Sequence, residues 1–378
     1  MKRTLIVTND FPPRQGGIQS FVHGLATRLP ADSVVVYAPA WPGCERFDAG
    51  QPYPVVRHPT SLMLPTPGVG RRAAELLTRH KCDTVVFGAA APLGLLAPRL
   101  RAAGAEHVVM LTHGHEASWA RLPLARHLLA RIGGHADAIT YLGEYTRRLL
   151  APVVGEERLV RLAPGVDTAA FSPDAARGGA AAALRAELGD GPVVVCVSRL
   201  VPRKGQDVLV RAWPRVLRAV PGARLVLVGG GPYRGRLERL VDRLGLRGAV
   251  RLTGPVDAAE LPGYFALGDV FAMPCRTRLG GIDVEGLGIV YLEASASGLP
   301  VLAGSSGGAP DAVLPGETGL VVDGASAGAV AGALLELLGD PARARAMGER
   351  GRAWVGREWS WDLVSARFAR ILEAERPF

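Results

Sequence analysis

Cysteine is scarce in this chain of 378 residues: four thiols, Cys44, Cys82, Cys196 and Cys275, with no Cys-x-x-Cys pair and no histidine cluster at ligand spacing. This excludes a disulfide framework and a structural zinc site, and leaves buried or idle thiols. Aromatic residues are only 6% of the chain, and they form no stacking stripe of the kind that single-stranded nucleic acids need. Long apolar runs are missing too. No segment approaches the roughly 20 apolar residues that span a bilayer, and the run within MKRTLIVTND is too short for a secretory leader. A cytoplasmic protein is therefore expected. The first strand-to-helix turn also lacks G-x-G-x-x-G, which disfavours a dinucleotide-dependent oxidoreductase.

What is present points to a globular chain, with 48% hydrophobic and 21% charged residues and a length that suits two α/β domains. The formal net charge of +9 and the pI near 9.9 imply an anionic partner, whether nucleic acid, a nucleotide ligand or an anionic membrane. The excess is regional: residues 1–168 hold 19 Lys and Arg against 13 Asp and Glu.

Short apolar runs alternate with amphipathic stretches, the pattern of parallel sheets wrapped by helices. Strand candidates in the first half are TLIVT, SVVVYA, TVVFGA, HVVMLTH and AITYL. The rhythm breaks at PGVDTAAFSP and the Ala/Gly-rich segment after it, then resumes with VVVCVS, RLVLVG, VRLTG, DVFAMP, VLAG and GLVV. Two Rossmann-like domains are expected, over 1–168 and 169–357, with a helix over about 358–378 packing back on the first. Ligands of such sheets bind beyond the carboxyl ends of the strands, so motifs placed just after strands are the candidates.

Three such motifs stand out. In DFPPRQGGIQSFV, Gly16 and Gly17 lead into a helix, where paired glycines serve either a tight turn or the close approach of a phosphate to helix amides. In SRLVPRKGQDVLV, Arg199 and Lys204 stand with Arg203 just past a strand, either as a solvated basic loop or as the cations that neutralise a diphosphate. In GIDVEGLGIVYLEASASG, Glu285 precedes a helix expected to start between Gly288 and Val290, and Glu293 lies about one turn inside it. The Gly-rich, apolar neighbours of these two glutamates are unlike an exposed helix face. His113 and His115 of THGHE follow a strand and suit a structural role, a metal pair lacking a third ligand, or a substrate contact.

Taken in chain order, the Gly16-Gly17 loop, PGVD followed by FSP, Arg199 with Lys204, and the spacing from Glu285 to Glu293 resemble the retaining glycosyltransferases of family 4. These have the GT-B fold, two Rossmann-like domains facing each other across a cleft. The likeness extends over almost the whole chain to the actinobacterial phosphatidylinositol mannosyltransferases that add the second mannose, through FPPRQGGIQSF, MLPTP, FGAAAPL, THGHE, SRLVPRKGQD and RTRLGGIDVEGLGIVYLEASASG.

The resemblance implies GDP-mannose as donor and phosphatidylinositol monomannoside as acceptor. It puts the diphosphate against Arg199 and Lys204, helped by the loop at Gly17 and the amides of Ile289 and Val290. Glu293 would hold the ribose, the backbone near Val256 the base, Glu285 the transferred mannose, and His115 the sugar and departing phosphate. No pair of carboxylates suited to a double displacement is identifiable, so the family's front-face mechanism is implied, with the leaving phosphate helping to accept the proton. No Asp-x-Asp stands in the expected place, and neither a divalent cation nor another cofactor is implied. A related glycolipid acceptor such as glucuronosyl diacylglycerol, or a UDP-sugar donor, remains the alternative within the class.

The acceptor side carries a basic stretch from Met63 to Lys81, with Arg71, Arg72, Arg79 and Lys81 around Leu76 and Leu77. WARLPLARHLLARI repeats the mix in the same domain. Either these helices pack on their sheet or they lie on an anionic lipid surface, which would put the protein peripherally on the inner face of the plasma membrane. A nucleic-acid partner is not expected, because the cations coincide with glutamates and Gly-rich turns.

Overall fold

Runs such as TLIV, TVVF and HVVM are buried at every position, as strands covered on both faces by helices must be. The computed structural model describes residues 3–176 and 178–374. The chain divides into two compact units, one running to Gly165 and resuming at Asp362, the other covering Val166–Trp361.

The first unit is built on β1 (Thr4–Val7), β2 (Val34–Pro39), β3 (Val55–His58), β4 (Thr84–Phe87), β5 (His107–Met110), β6 (Ala138–Tyr141) and β7 (Leu159–Arg161). They form one parallel sheet in the order β3-β2-β1-β4-β5-β6-β7. The order reverses between β1 and β4, so the loops leaving these two strands diverge and open a crevice at their carboxyl ends. β3 and β7, which the apolar pattern did not reveal, are the edge strands. Their VVRH and LVR are only partly buried, and Arg57 of β3 is held by Asp48 and by the Pro12 and Pro39 carbonyls.

The second unit repeats the plan with β8 (Val193–Val197), β9 (Arg224–Val228), β10 (Val250–Gly254), β11 (Val270–Met273), β12 (Val301–Gly304) and β13 (Gly319–Val322). Its parallel order is β10-β9-β8-β11-β12-β13, with the reversal between β8 and β11. The segments entering and leaving this unit run side by side, where the Val166 amide donates to the Trp359 carbonyl at 2.8 Å and Val166 bridges Ser360. After them the helix Trp361–Glu373 buries Val364, Phe368, Ile371 and Leu372, and His107 of β5 donates from Nε2 to the Ile371 carbonyl at 2.9 Å. The division thus falls a few residues from the expected 168 and 358. The expected helix beyond residue 374 lies outside the described residues.

The basic stretch forms the helix Pro67–Arg79, started by the Thr66 hydroxyl capping the Val69 amide with Pro67 at the first helical position. Its Val69, Ala73, Leu76 and Leu77 belong to the core of the first unit. Leu76 and Leu77 therefore face the sheet, and the apolar half of this helix is not available to a lipid surface. Among the described residues no helix is long and apolar enough to cross a membrane.

Candidate active site

In the second unit, the loop leaving β8 is shaped by Gln206, fully buried, whose amide donates to Ser198 Oγ at 2.8 Å and to the Arg199 carbonyl at 3.0 Å. Gly205 is required here: its φ is 77°, and a Cβ would lie 2.0 Å from the Pro274 carbonyl oxygen beyond β11. The two loops at the reversal point are thereby pressed together. Lys204 consequently sits buried, its Nζ 2.6 Å from Glu285 Oε2. Arg203 approaches the same oxygen at 3.8 Å and Asp283 at 3.6 Å. The Glu285 carbonyl is fixed from behind by the Gly308 amide at 2.9 Å.

Arg199 contrasts with Lys204. Its side chain is exposed and, among the described residues, has neither hydrogen bond nor ion pair. An exposed guanidinium at the carboxyl end of the central strand, beside a buried ammonium, suits an anion approaching along the sheet axis.

The helix Ile289–Ala296 starts at Gly288, whose φ of 83° turns the chain sharply out of the glutamate loop. Among the described residues the first-turn amides of Ile289 and Val290 have no backbone acceptor, as expected at a helix start. Glu293 lies one turn in, and among the described residues its carboxylate has no partner. Burial pushes its pKa up to about 7. Val256 follows β10, half-buried in the turn that also contains Pro255.

This unpartnered carboxylate predicts a particular stability profile. Because the folded pKa lies above the ordinary 4.5, the native state keeps its proton longer than the unfolded chain. Stability is then lost as pH rises from 4.5 through about 7. Glu293→Gln removes that penalty. The ligand-free variant should be about 1–3 kcal/mol more stable than the parent at pH 8 and equal to it near pH 4, read by urea denaturation. Equal stability at both pH values would contradict the raised pKa of this carboxylate.

In the first unit, Asn9 beyond β1 clamps Met63, donating to its carbonyl at 3.0 Å and accepting from its amide at 2.7 Å. Gln19 donates to Asp10 at 2.6 Å and fixes the turn before the helix Gly17–Ala26. Gly17 is the first residue of that helix. A Cβ there would meet nothing within 4 Å, so the chain itself does not require glycine at this position, whereas a ligand lying against the backbone would.

His115 opens a short helix beyond β5, after Gly114 at φ 98°. Its Nε2 lies 3.0 Å from Oε1 of Glu116, a fully buried carboxylate whose Oε2 accepts the His113 amide at 2.9 Å. Glu116 raises the pKa of His115 to about 9 against the opposing effect of burial. Burial alone would raise Glu116, but the charge and hydrogen bonds of the two histidines hold it at about 2. His113 faces inward, bonding from Nε2 to the Gly88 carbonyl, and burial lowers its pKa. The two rings stack with centroids 6.4 Å apart.

Of the remaining candidates, Arg71 and Arg79 are exposed and line a cavity of about 570 Å³ together with Glu75 and Arg99. Lys81 is exposed with φ 52°, and Arg72 is paired with Glu75 at 3.2 Å. A separate cavity of about 680 Å³ lies at the amino ends of β8, β11 and β12, beside Pro192, Asp269 and Pro300 and at the opposite edge of the sheet from Lys204. Sequence reasoning passed over Glu116, Gln206 and Asp283, which act on the candidate residues through contacts made in the fold. Only the adjacency of Glu116 to His115 offered a signal.

The family description Glycosyl transferases group 1 matches residues 185–354, and Glycosyltransferase Family 4 matches residues 15–170. The chain is 53% identical over 379 residues to the GDP-mannose-dependent alpha-(1-6)-phosphatidylinositol monomannoside mannosyltransferase of Mycolicibacterium smegmatis, covering 98% of both chains. It is 54% identical to the protein of that name in Mycobacterium tuberculosis, covering 99% of each. A Corynebacterium glutamicum protein named for the monoacylated monomannoside is 45% identical over 99% of this chain and 98% of that one. Among solved structures, Anabaena HepE in complex with UDP and glucose superposes with a TM-score of 0.80 at 21% identity, over 99% of this chain and 100% of that one. Sucrose-phosphate synthase from Thermosynechococcus elongatus gives 0.79 at 22%, over 98% of each. These last two likenesses concern the fold, which is GT-B. With full-length relatives this similar and both halves matched, the chain belongs to glycosyltransferase family 4 and is a glycosyltransferase.

Proposed function

We propose that this protein transfers an α-mannosyl group, with retention, from GDP-mannose to phosphatidylinositol monomannoside in an α-(1-6) linkage, giving the dimannoside. The observation that carries the reading is the 53–54% identity over essentially the full length to mycobacterial enzymes named for that reaction. Arg199, Lys204 and the amides of Ile289 and Val290 bind the diphosphate of the donor, and Glu293 accepts hydrogen bonds from the ribose hydroxyls. Val256 borders the base, and Gly16 and Gly17 leave room for the phosphates. His115 and Glu285 meet the transferred sugar.

In the reaction, the bond from the anomeric carbon to the phosphate oxygen breaks. The acceptor hydroxyl oxygen bonds to that carbon on the same face, and its proton leaves with the GDP phosphate. The protein's contribution is electrostatic, since cations and amides already in position stabilise the charge that accumulates on the departing diphosphate. Radiolabelled GDP-mannose incubated with phosphatidylinositol, its monomannoside and glucuronosyl diacylglycerol tests the reading. Labelled dimannoside alone is expected. Product only on the diacylglycerol, or only with a UDP-sugar in place of GDP-mannose, would overturn it.

The acceptor is a lipid, and the first unit docks peripherally on an anionic membrane at its cytoplasmic face. Exposed Arg71, Arg79 and Lys81 support this, as do the exposed leucines Leu62, Leu64, Leu122 and Leu124 of the same unit. Each cation near an anionic surface contributes about 1 kcal/mol, with Arg72 contributing least because Glu75 already neutralises it. Vesicle sedimentation should find binding that rises with anionic lipid, falls with salt, and drops when Arg71, Arg72, Arg79 and Lys81 become Ser. GDP affinity should be untouched. A quadruple variant that sediments like the parent would move the contact elsewhere.

A further inference from the structure

Glu116 is a carboxylate with no accessible surface, in a segment where burying a charge is costly unless it is compensated. Two groups compensate it. One is the His113 amide, 2.9 Å from Oε2, and the other is His115 Nε2, 3.0 Å from Oε1. The Ala91 carbonyl, beyond β4, is a further acceptor beside the His115 ring. A fully buried carboxylate 3.0 Å from the imidazole and a carbonyl acceptor beside it both favour the protonated ring.

We propose that Glu116 is the counter-ion that orients His115 and keeps it doubly protonated, so that His115 meets the donor as a cation and never as the base that removes the acceptor proton. The proposal rests on the reading of His115 as a residue at the reacting sugar and deepens it. It assigns a positioning role to Glu116 and leaves the departing phosphate as the proton acceptor.

The charges around the imidazole are consistent with this. Glu116 stands on its own helix. Asp10, on the loop after β1, adds a second negative charge, neighbouring His113 is driven toward its neutral form by burial, and the one opposing effect is the partial burial of His115 itself. The net field favours the cation, and His115 holds its proton up to about pH 9. A cation at this point gains most when negative charge develops on the leaving diphosphate, so its effect belongs to the transition state.

The alternative role for Glu116 is only to cap the turn through the His113 amide. Glu116→Gln separates the two, because a glutamine oxygen still accepts from that amide while the negative charge is gone. The experiment compares kcat from pH 6 to 9.5 for the parent, Glu116→Gln and His115→Ala, using GDP-mannose and the monomannoside, and follows the histidine ring nitrogens by ¹⁵N NMR. In the parent the alkaline limb should lie near 9. In Glu116→Gln it should move toward the ordinary histidine value of about 6.5, so that the deficit grows from near unity at pH 6 to roughly 30-fold at pH 8. His115→Ala should be low at every pH.

An unmoved limb in Glu116→Gln, or a loss equal at every pH, overturns the proposal. Should Glu116→Gln fail to fold, the parent's NMR titration decides alone: a His115 midpoint near 6.5 overturns the proposal, and one near 9 supports it. Normal turnover in His115→Ala would instead defeat the reading of His115 at the sugar. The NMR midpoint would still report on the pair, so the two failures are distinguishable.

Discussion

Lys204→Ala should lose GDP affinity and fold stability together, whereas Arg199→Ala should lose affinity alone. Lys204 Nζ is 2.6 Å from Glu285 Oε2, and Glu285 is 6% exposed, so truncating the lysine strands a buried carboxylate with Arg203 no closer than 3.8 Å. Breaking a buried pair from one side costs about 3–5 kcal/mol. The charge-assisted contact to the diphosphate is worth roughly 1.5–3 kcal/mol, or about 10- to 150-fold in affinity. Arg199 is exposed and, among the described residues, unpaired, so its removal touches only the second quantity. Glu285→Gln added to Lys204→Ala should restore most of the stability and none of the affinity. Calorimetric titration with GDP and urea denaturation of the single and double variants separate the two effects. Unchanged GDP affinity in both Lys204→Ala and Arg199→Ala would remove the diphosphate assignment.

His115→Ala should lower turnover by about 10²–10³ while leaving GDP affinity within a few-fold of the parent. The reason is position: the side chain belongs to the first unit, on the loop beyond β5, whereas the proposed nucleotide contacts Arg199, Lys204, Val256 and Glu293 all belong to the second. A group that meets only the sugar and the developing charge acts in the transition state and contributes little to nucleotide binding. Single-turnover rates at saturating donor, set beside the calorimetric Kd for GDP, check this. A proportional loss in both would assign His115 to nucleotide binding, and no loss in either would return it to a structural role.

Much of the fold was legible because it depends on local pattern. The eleven strand candidates coincide with observed strands to within about two residues, save for the run HVVMLTH, whose last three residues leave the sheet to carry His113. Continuous apolar runs mark strands covered on both faces. The two strands that were not legible, β3 and β7, lie at a sheet edge, where one side is open and VVRH or LVR suffices. Their position, and not their composition, makes them strands.

The helix Pro67–Arg79 illustrates a different limit. Its amphipathic pattern is real, yet the same pattern suits a lipid surface or a sheet, and only the packing of Leu76 and Leu77 into the core decides between them. The exposed leucines of the first unit, Leu62, Leu64, Leu122 and Leu124, lie in or beside turns and carry no period.

By itself the sequence determined the two parallel α/β units and the membership of Arg199, Lys204, Glu285, Glu293 and His115 in loops and helix starts at strand ends. These follow from periodicity, glycine placement and charge, which are local properties. Only the tertiary structure decided which charges meet. It pairs Lys204 with Glu285, leaves the Arg199 and Glu293 side chains without partners among the described residues, and sets His115 against Glu116 and the Ala91 carbonyl. The physical reason is that an ionisable group's state depends on burial and on neighbours within a few ångströms, and those neighbours are brought by strands far apart in sequence.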